Sequence, residues 1–307
     1  MIYNMDRLYE SVAAKGHVCV GLDTAAEYVP DAERRRAASD AEAVLGFNKA
    51  LIDATIDIAA CYKVQIAYYE ELGLAGLKTY SETLKYIRHK QALVIADIKR
   101  GDIADTASRY ARAHFEGDFE ADFATLSPYL GMDAVDPWCA WADRKGKGAF
   151  ILMKTSNKGM NDFQNLELKD QARQNGSHVK KRLYDEVGEK LAELAGSRMG
   201  KYGYGVFGAV AGADPKSGEE REEAKALREK RANLFFLIPG YGAQGGAAED
   251  AVLFLRDGNG GVVNASRSII KAWSASEHPE TADNAYAAEK AREAVIAMRD
   301  AIYKALI

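Results

Sequence analysis

No apolar run in this 307-residue chain reaches the length of about 18 residues that a membrane-spanning helix needs. The first residues, Met1 to Glu10, are polar and carry Asp6 and Glu10, so no signal peptide is expected. Cysteine is scarce: Cys19, Cys61 and Cys139 lie far apart with no Cys-x-x-Cys, which excludes a disulfide framework and suits a reducing, intracellular setting such as the cytoplasm. Cys19 and Cys61 fall in apolar stretches and read as small buried residues. The five histidines, His17, His89, His114, His178 and His278, show no metal-ligand spacing, so no structural zinc is expected. A basic stripe is also missing. Lysine and arginine number 41 against 45 acidic residues, and the densest cluster, Lys180 to Arg182, reads as a solvated helix face. A nucleic-acid partner is therefore not expected. The Gly-x-Gly-x-x-Gly turn of a dinucleotide-binding fold is absent, since Gly21 is followed by Leu22, Asp23 and Thr24.

What is present is material for a full core: apolar residues make up 48% and charged residues 28%, a balance far from disorder. Short apolar runs alternate with longer helical patterns. The runs are Val18 to Leu22, Cys61 to Ile66, Ala92 to Ala96, Phe123 to Leu126, Phe150 to Met153, Gly205 to Val210, Leu234 to Ile238 and Gly261 to Asn264. Runs that are continuous rather than alternating suit strands buried on both faces of a parallel sheet. Between them, Ala43, Leu45, Phe47, Leu51, Ile52, Ile56 and Ile58 recur at helical spacing. A last helix over roughly 285–305 gathers Ala288, Ala291, Val295, Met298 and Ile302 on one side. Strand followed by helix about eight times, with no domain boundary, predicts one (β/α)8 barrel over 1–307. A doubly wound open sheet is the runner-up.

Two longer polar stretches stand out. Ser156 to Gly176 follows the fifth run and reads as a loop at the catalytic end. Lys216 to Arg231 reads as an exposed helix with a favourable Lys225–Glu229 pair and an unfavourable Glu219–Glu223 pair.

Catalytic groups of such barrels sit at the carboxyl ends of strands. The third run ends Asp97-Ile98-Lys99-Arg100-Gly101-Asp102. Side chains two apart on a strand point the same way, so Asp97 and Lys99 should both face the barrel mouth. Flanking carboxylates favour the ammonium form, which suits a fixed cation and proton donor better than a Schiff-base nucleophile. A structural ion pair is the alternative, and Asp102 could be no more than the cap of a helix starting near Ile103. After the seventh run comes Pro239-Gly240-Tyr241-Gly242-Ala243-Gln244-Gly245-Gly246, and after the eighth Asn264-Ala265-Ser266-Arg267-Ser268. Barrels bind phosphate between these two loops, where glycines admit backbone N–H groups and an arginine can grip two oxygens.

Together these residues resemble the orotidine 5′-monophosphate decarboxylase family, over nearly the whole chain and most nearly its longer bacterial branch. The resemblance is carried by Asp97 to Ile103 with Thr106, by Pro239 to Gly246, by Tyr62-Lys63-Val64-Gln65 and by Lys154-Thr155-Ser156-Asn157. It implies a decarboxylase, a carbon–carbon lyase, that needs no metal or cofactor and makes uridine 5′-monophosphate in pyrimidine biosynthesis. It also implies the roles that follow. Lys99 protonates C6 of the pyrimidine, with Asp97 beside the substrate carboxylate. Asp102 and Thr106 reach into the neighbouring subunit's site, making a homodimer. Asp23 and Lys63 hold ribose hydroxyls, Ser156 the pyrimidine amide, and Gln244, Ser266 and Arg267 the phosphate. One barrel uses up these residues, so no phosphoribosyltransferase domain is expected alongside it. Tyr241 and the turn Ala211-Gly212-Ala213-Asp214-Pro215 depart from the family pattern. Two other readings stay open. One is a Mg²⁺-dependent sugar-phosphate enzyme such as 3-keto-gulonate 6-phosphate decarboxylase or hexulose phosphate synthase, with Glu70 or Glu71 near a metal. The other is a non-catalytic nucleotide sensor.

Overall fold

The eight apolar runs pair in chain order and close on themselves. The computed structural model of the chain describes residues 2–168, 181–212, 217–242, 246–275 and 279–307. The barrel strands are β1 (Val18–Gly21), β2 (Cys61–Gln65), β3 (Val94–Arg100), β4 (Phe123–Leu126), β5 (Gly148–Lys154), β6 (Phe207–Ala211), β7 (Phe236–Ile238) and β8 (Gly261–Ala265). Each is parallel to its neighbours, and β8 returns to β1 through Val18–Val263 and Val20–Ala265. The parallel (β/α)8 barrel predicted from the alternation is therefore the observed fold, and the open-sheet alternative falls. Strand limits shift by a few residues. The third strand starts later and runs further than Ala92 to Ala96, so it carries both Asp97 and Lys99.

The first helix, α1 (Asn4–Lys15), is an element the polar composition of the amino terminus concealed. Its Met5, Leu8 and Val12 pack with Cys19, Cys61, Ile95, Phe123, Phe150 and Val262 in one apolar cluster, which plugs the barrel interior. The other long helices are α2 (Asp40–Thr55), α3 (Gly73–His89), α4 (Ala104–Phe115), α5 (Asp136–Lys145), α6 (Leu183–Gly196), α7 (Gly218–Lys230) and α8 (Asn284–Leu306). Among the described residues, β7 is followed by a short helical turn, Ala248–Ala251, that runs into a second, Val252–Phe254. The start of α2 has a local cause: Ser39 Oγ accepts from the Glu42 N–H at 3.2 Å while the Glu42 carboxylate accepts from the Ala38 N–H. Ala43, Phe47, Leu51 and Ile52 are buried as expected, whereas Leu45 is half-buried and Ile58 lies past the helix end. All five residues expected on the inner side of α8 are buried.

Three local expectations need correction. Lys181 and Arg182 form a two-residue ribbon with Glu167–Leu168 rather than a helix face, because their charges are taken up by Glu186, Glu189 and Glu223; Lys180 lies outside the described residues. On α7, Lys225 pairs with Glu222 at 2.7 Å instead of with Glu229, and Glu223 turns to Arg182 at 3.0 Å, away from Glu219. Asp102 is not a helix cap of the usual kind: α4 starts at Ala104, and Asp102 Oδ1 accepts only from the adjacent Ile103 N–H at 2.8 Å. The polar stretch after β5 contains a helical turn, Met160–Phe163, and its part beyond Leu168 lies outside the described residues. So do residues 213–215 of the turn after β6.

Candidate active site

The carboxyl ends of the strands open into a cavity of about 540 Å3, within the range that holds a nucleotide-sized ligand. Asp23, Lys63, Asp97, Lys99, Ser156, Ser266 and Arg267 all line it. Asp102 and Thr106 do not; they stand beyond the end of β3, Asp102 half-buried and Thr106 exposed. Gln244 lies outside the described residues.

The centre of the site is a chain of alternating charges. Lys63 Nζ donates to Asp23 Oδ1 at 3.0 Å and to Asp97 Oδ2 at 2.8 Å. Lys99 Nζ donates to Asp97 Oδ1 at 2.6 Å. Ser266 Oγ closes the row by donating to Asp23 Oδ2 at 2.9 Å. Burial alone would raise the Asp97 carboxyl, but the Lys63 and Lys99 ammonium groups overcome it and hold Asp97 well below the usual carboxylate range. Burial also opposes the charge on Lys63, yet Asp23 and Asp97 outweigh it and push that lysine above its ordinary value. Both groups are thus charged at neutral pH inside a largely enclosed site.

Lys99 differs from Lys63 in accessibility. The Lys63 side chain is 6% exposed, the Lys99 side chain 48%. Lys99 is open to the cavity, while Lys63 is enclosed between Asp23 and Asp97. The alternation of a strand does not by itself aim Lys99. Its backbone has φ +44°, in the left-handed region that non-glycine residues rarely adopt, and the pairing of β3 with β4 slips between Ala96 and Arg100. Thr125 of β4 holds this kink. Its Oγ1 accepts from the Ile98 and Lys99 N–H groups at 3.0 and 2.9 Å and donates to Asp97 Oδ1 at 2.9 Å. Thr125 was missed from sequence; the only signal was one hydroxyl inside an apolar run.

At the other side of the cavity, Ser266 and Arg267 follow β8, and Gly240 and Tyr241 follow β7. Arg267 is exposed to the cavity mouth. The Ser266 side chain is committed to Asp23, so an anion beside Arg267 would meet the Ser266 backbone N–H or compete for that hydroxyl. Gly21 explains how β1 tolerates this crowding: a β carbon there would stand 2.0 Å from Ser266 Oγ. Tyr28 and Tyr68, which sequence did not mark, also line the cavity, as do Gln65 and Asn264, which stood in the quoted motifs without a role of their own. Ser156, after β5, faces the same space. Arg100 is drawn aside to Glu70 at 3.4 Å and stacks over Tyr110. Among the described residues no group of three or more His, Cys, Asp or Glu is arranged to hold a metal ion, and no helix is long and apolar enough to cross a membrane.

Comparison with known proteins points in one direction. The model of the orotidine 5′-phosphate decarboxylase / HUMPS family matches residues 16–282. The orotidine 5′-phosphate decarboxylase of Clostridium perfringens is 50% identical over 302 residues, covering 98% of this chain and 99% of that protein. The Clostridium acetobutylicum protein of the same name is 51% identical with the same coverage. Among solved structures, Leishmania donovani OMP decarboxylase superposes with a TM-score of 0.71 at 32% identity, covering 98% of this chain and all of that one.

Proposed function

The chain belongs to the orotidine 5′-phosphate decarboxylase / HUMPS family, and from that membership we propose that it converts orotidine 5′-monophosphate to uridine 5′-monophosphate and carbon dioxide without metal or cofactor. The observation that carries the reading is the 2.6 Å contact between Lys99 Nζ and Asp97 in a cavity that also presents Arg267.

In the proposed reaction the bond from C6 to the carboxyl carbon breaks, the carboxylate leaves as carbon dioxide, and the electron pair stays on C6. Lys99 gives C6 a proton and is reprotonated from solvent. No neighbouring carbonyl delocalises that pair well, so a fixed cation at C6 is the main help available. At about 4 Å and an effective dielectric near 20, one such pair contributes about 4 kcal/mol, or roughly three decades of rate when it forms only in the transition state. The remaining acceleration is assigned to remote contacts: Asp23 and Lys63 on the ribose, Ser156 on the pyrimidine amide, and Gln244, Ser266 and Arg267 on the phosphate. Asp97, held ionised by its two lysines, would lie beside the substrate carboxylate and disfavour its charge.

The same reading includes a homodimer in which Asp102 and Thr106 serve the partner's site. It is supported by apolar side chains left open on the loops after β3 and β4: Ile103 is 50%, Tyr129 77% and Leu130 51% exposed. A single barrel domain working in the cytoplasm completes it, in keeping with three free, buried cysteines. The Mg²⁺-dependent sugar-phosphate reading is the rival to test. Chelator-treated protein should consume orotidine 5′-monophosphate with loss of the orotate absorbance, and no turnover, or turnover that returns only with Mg²⁺, would overturn the proposal.

A further inference from the structure

Asn264 sits on β8 in register with Cys19 of β1, two residues before Ser266. It lines the cavity and is 8% exposed. Among the described residues nothing donates to its Oδ1, which is sealed from solvent, and nothing accepts from its Nδ2. Buried side-chain amides are nearly always hydrogen-bonded, because an unmade bond in the interior is not compensated by water. An idle carboxamide facing a ligand cavity is therefore a group waiting for a ligand. The strand it sits on could have carried valine there, as it does at Val262 and Val263.

We propose that the Asn264 carboxamide reads the ribose, hydrogen-bonding a 2′ or 3′ hydroxyl of the bound nucleotide; this rests on the decarboxylase reading above. Two facts select a sugar hydroxyl over other ligand groups. The first is position. A β carbon at Gly21 would touch both Ser266 Oγ and, at 3.0 Å, Asn264 Oδ1. The amide therefore lies beside Ser266, whose hydroxyl is bonded to Asp23 in the row that continues to Lys63. The second is chemistry. Asp23 offers only acceptors and Lys63 only donors, whereas a hydroxyl both donates and accepts. The amide meets such a hydroxyl through its N–H groups, or through its oxygen once the carboxamide turns over, since Oδ1 is sealed as it stands. A phosphate oxygen would use only its N–H groups.

The test measures equilibrium binding of uridine 5′-monophosphate, its 2′-deoxy analogue and its 3′-deoxy analogue to the full-length protein and to Asn264→Leu and Asn264→Ala. Leucine keeps the volume and removes both polar atoms. Alanine covers the case in which leucine does not fit. Each variant should bind the full nucleotide about tenfold more weakly, while its affinity for one deoxy analogue changes less than about twofold. A merely structural amide would shift all three ligands alike, and that result would overturn the inference, as would no shift at all. Collapse of both variants on thermal melting would mark Asn264 as part of the fold and overturn it too. Failure of the unaltered protein to bind the full nucleotide would sink the decarboxylase reading itself, an outcome distinct from the others.

Discussion

Lys63 Nζ and Asp97 Oδ2 meet at 2.8 Å with both side chains more than nine-tenths enclosed, 34 residues apart in the chain. This pair is where fold and site join. It ties β2 to β3, and it places a permanent charge on Asp97. Without Asp97, Lys63 keeps Asp23 as its partner, so the loss is smaller than the about 3–5 kcal/mol of a buried charge left with none. Asp97→Asn is expected to lose about 1–3 kcal/mol at pH 7, read as the shift of a urea transition. The pH dependence has a fixed sign. The folded-state value of Asp97 is depressed, so its contribution is present above the ordinary carboxylate range and is lost as pH falls through the folded value. Lys63 is raised, so its contribution is full below the ordinary lysine value and is lost only as pH rises past the elevated one. The gap between wild type and Asp97→Asn should therefore hold from pH 5 to 9 and narrow in acid. A gap that widened in acid would contradict the charge assignment.

Lys99 should separate catalysis from stability. Its side chain is half exposed and anchors nothing but Asp97. Lys99→Ala is expected to melt within a few degrees of wild type and to bind uridine 5′-monophosphate. Its turnover should fall by at least about three decades, the share assigned above to one cation at C6. An ultraviolet assay at saturating substrate decides. Residual turnover within tenfold of wild type would take Lys99 out of the chemistry.

Much of this arrangement is legible in the sequence, and the parts that are not share a cause. The barrel could be read from eight runs because burial on both faces removes the polar half of each strand's pattern. Asp97 and Lys99 were legible because they sit two residues apart at a strand end. Lys63 stood in the sequence as one charge in an apolar run. Its partners Asp23 and Asp97 are 40 and 34 positions away, so no local pattern marks it as the most enclosed cation of the site. Thr125 was hidden in the same way, and Asn264 stood in a quoted motif without a role, because the meaning of a single polar side chain on a strand depends on what faces it. The kink that aims Lys99 arises from a slip between β3 and β4, a relationship between strands that neither run contains. The plug helix α1 carried a helical spacing in Met5, Leu8 and Val12, but so few apolar residues among so many polar ones made it read as a polar terminus.

Thr125 gives the test of that kink. Thr125→Val keeps the shape and deletes the oxygen, leaving the Ile98 and Lys99 N–H groups unpaired beside Asp97. The expected stability loss is about 1–3 kcal/mol. If the kink aims the ammonium, turnover should fall about tenfold with little change in substrate affinity, since a small misplacement of a reacting group is felt mainly in the chemical step. Unchanged turnover in a destabilised variant would reduce Thr125 to a structural role.

The placement of Asp102 and Thr106 outside the cavity lining turns the dimer into a question of arithmetic. If Asp102 serves its own subunit, Lys99→Ala and Asp102→Ala proteins stay inactive when mixed, because every site lacks one group. If it crosses the interface, each mixed dimer holds one site with both groups intact. Random exchange makes half the dimers mixed, so activity should recover to about a quarter of wild type. The measurement is turnover after the two variants are co-refolded in equal amounts, with each variant alone as the reference. No recovery, with mixed dimers demonstrated by differently sized tags, would place Asp102 in its own subunit's site and remove the reason to require a partner.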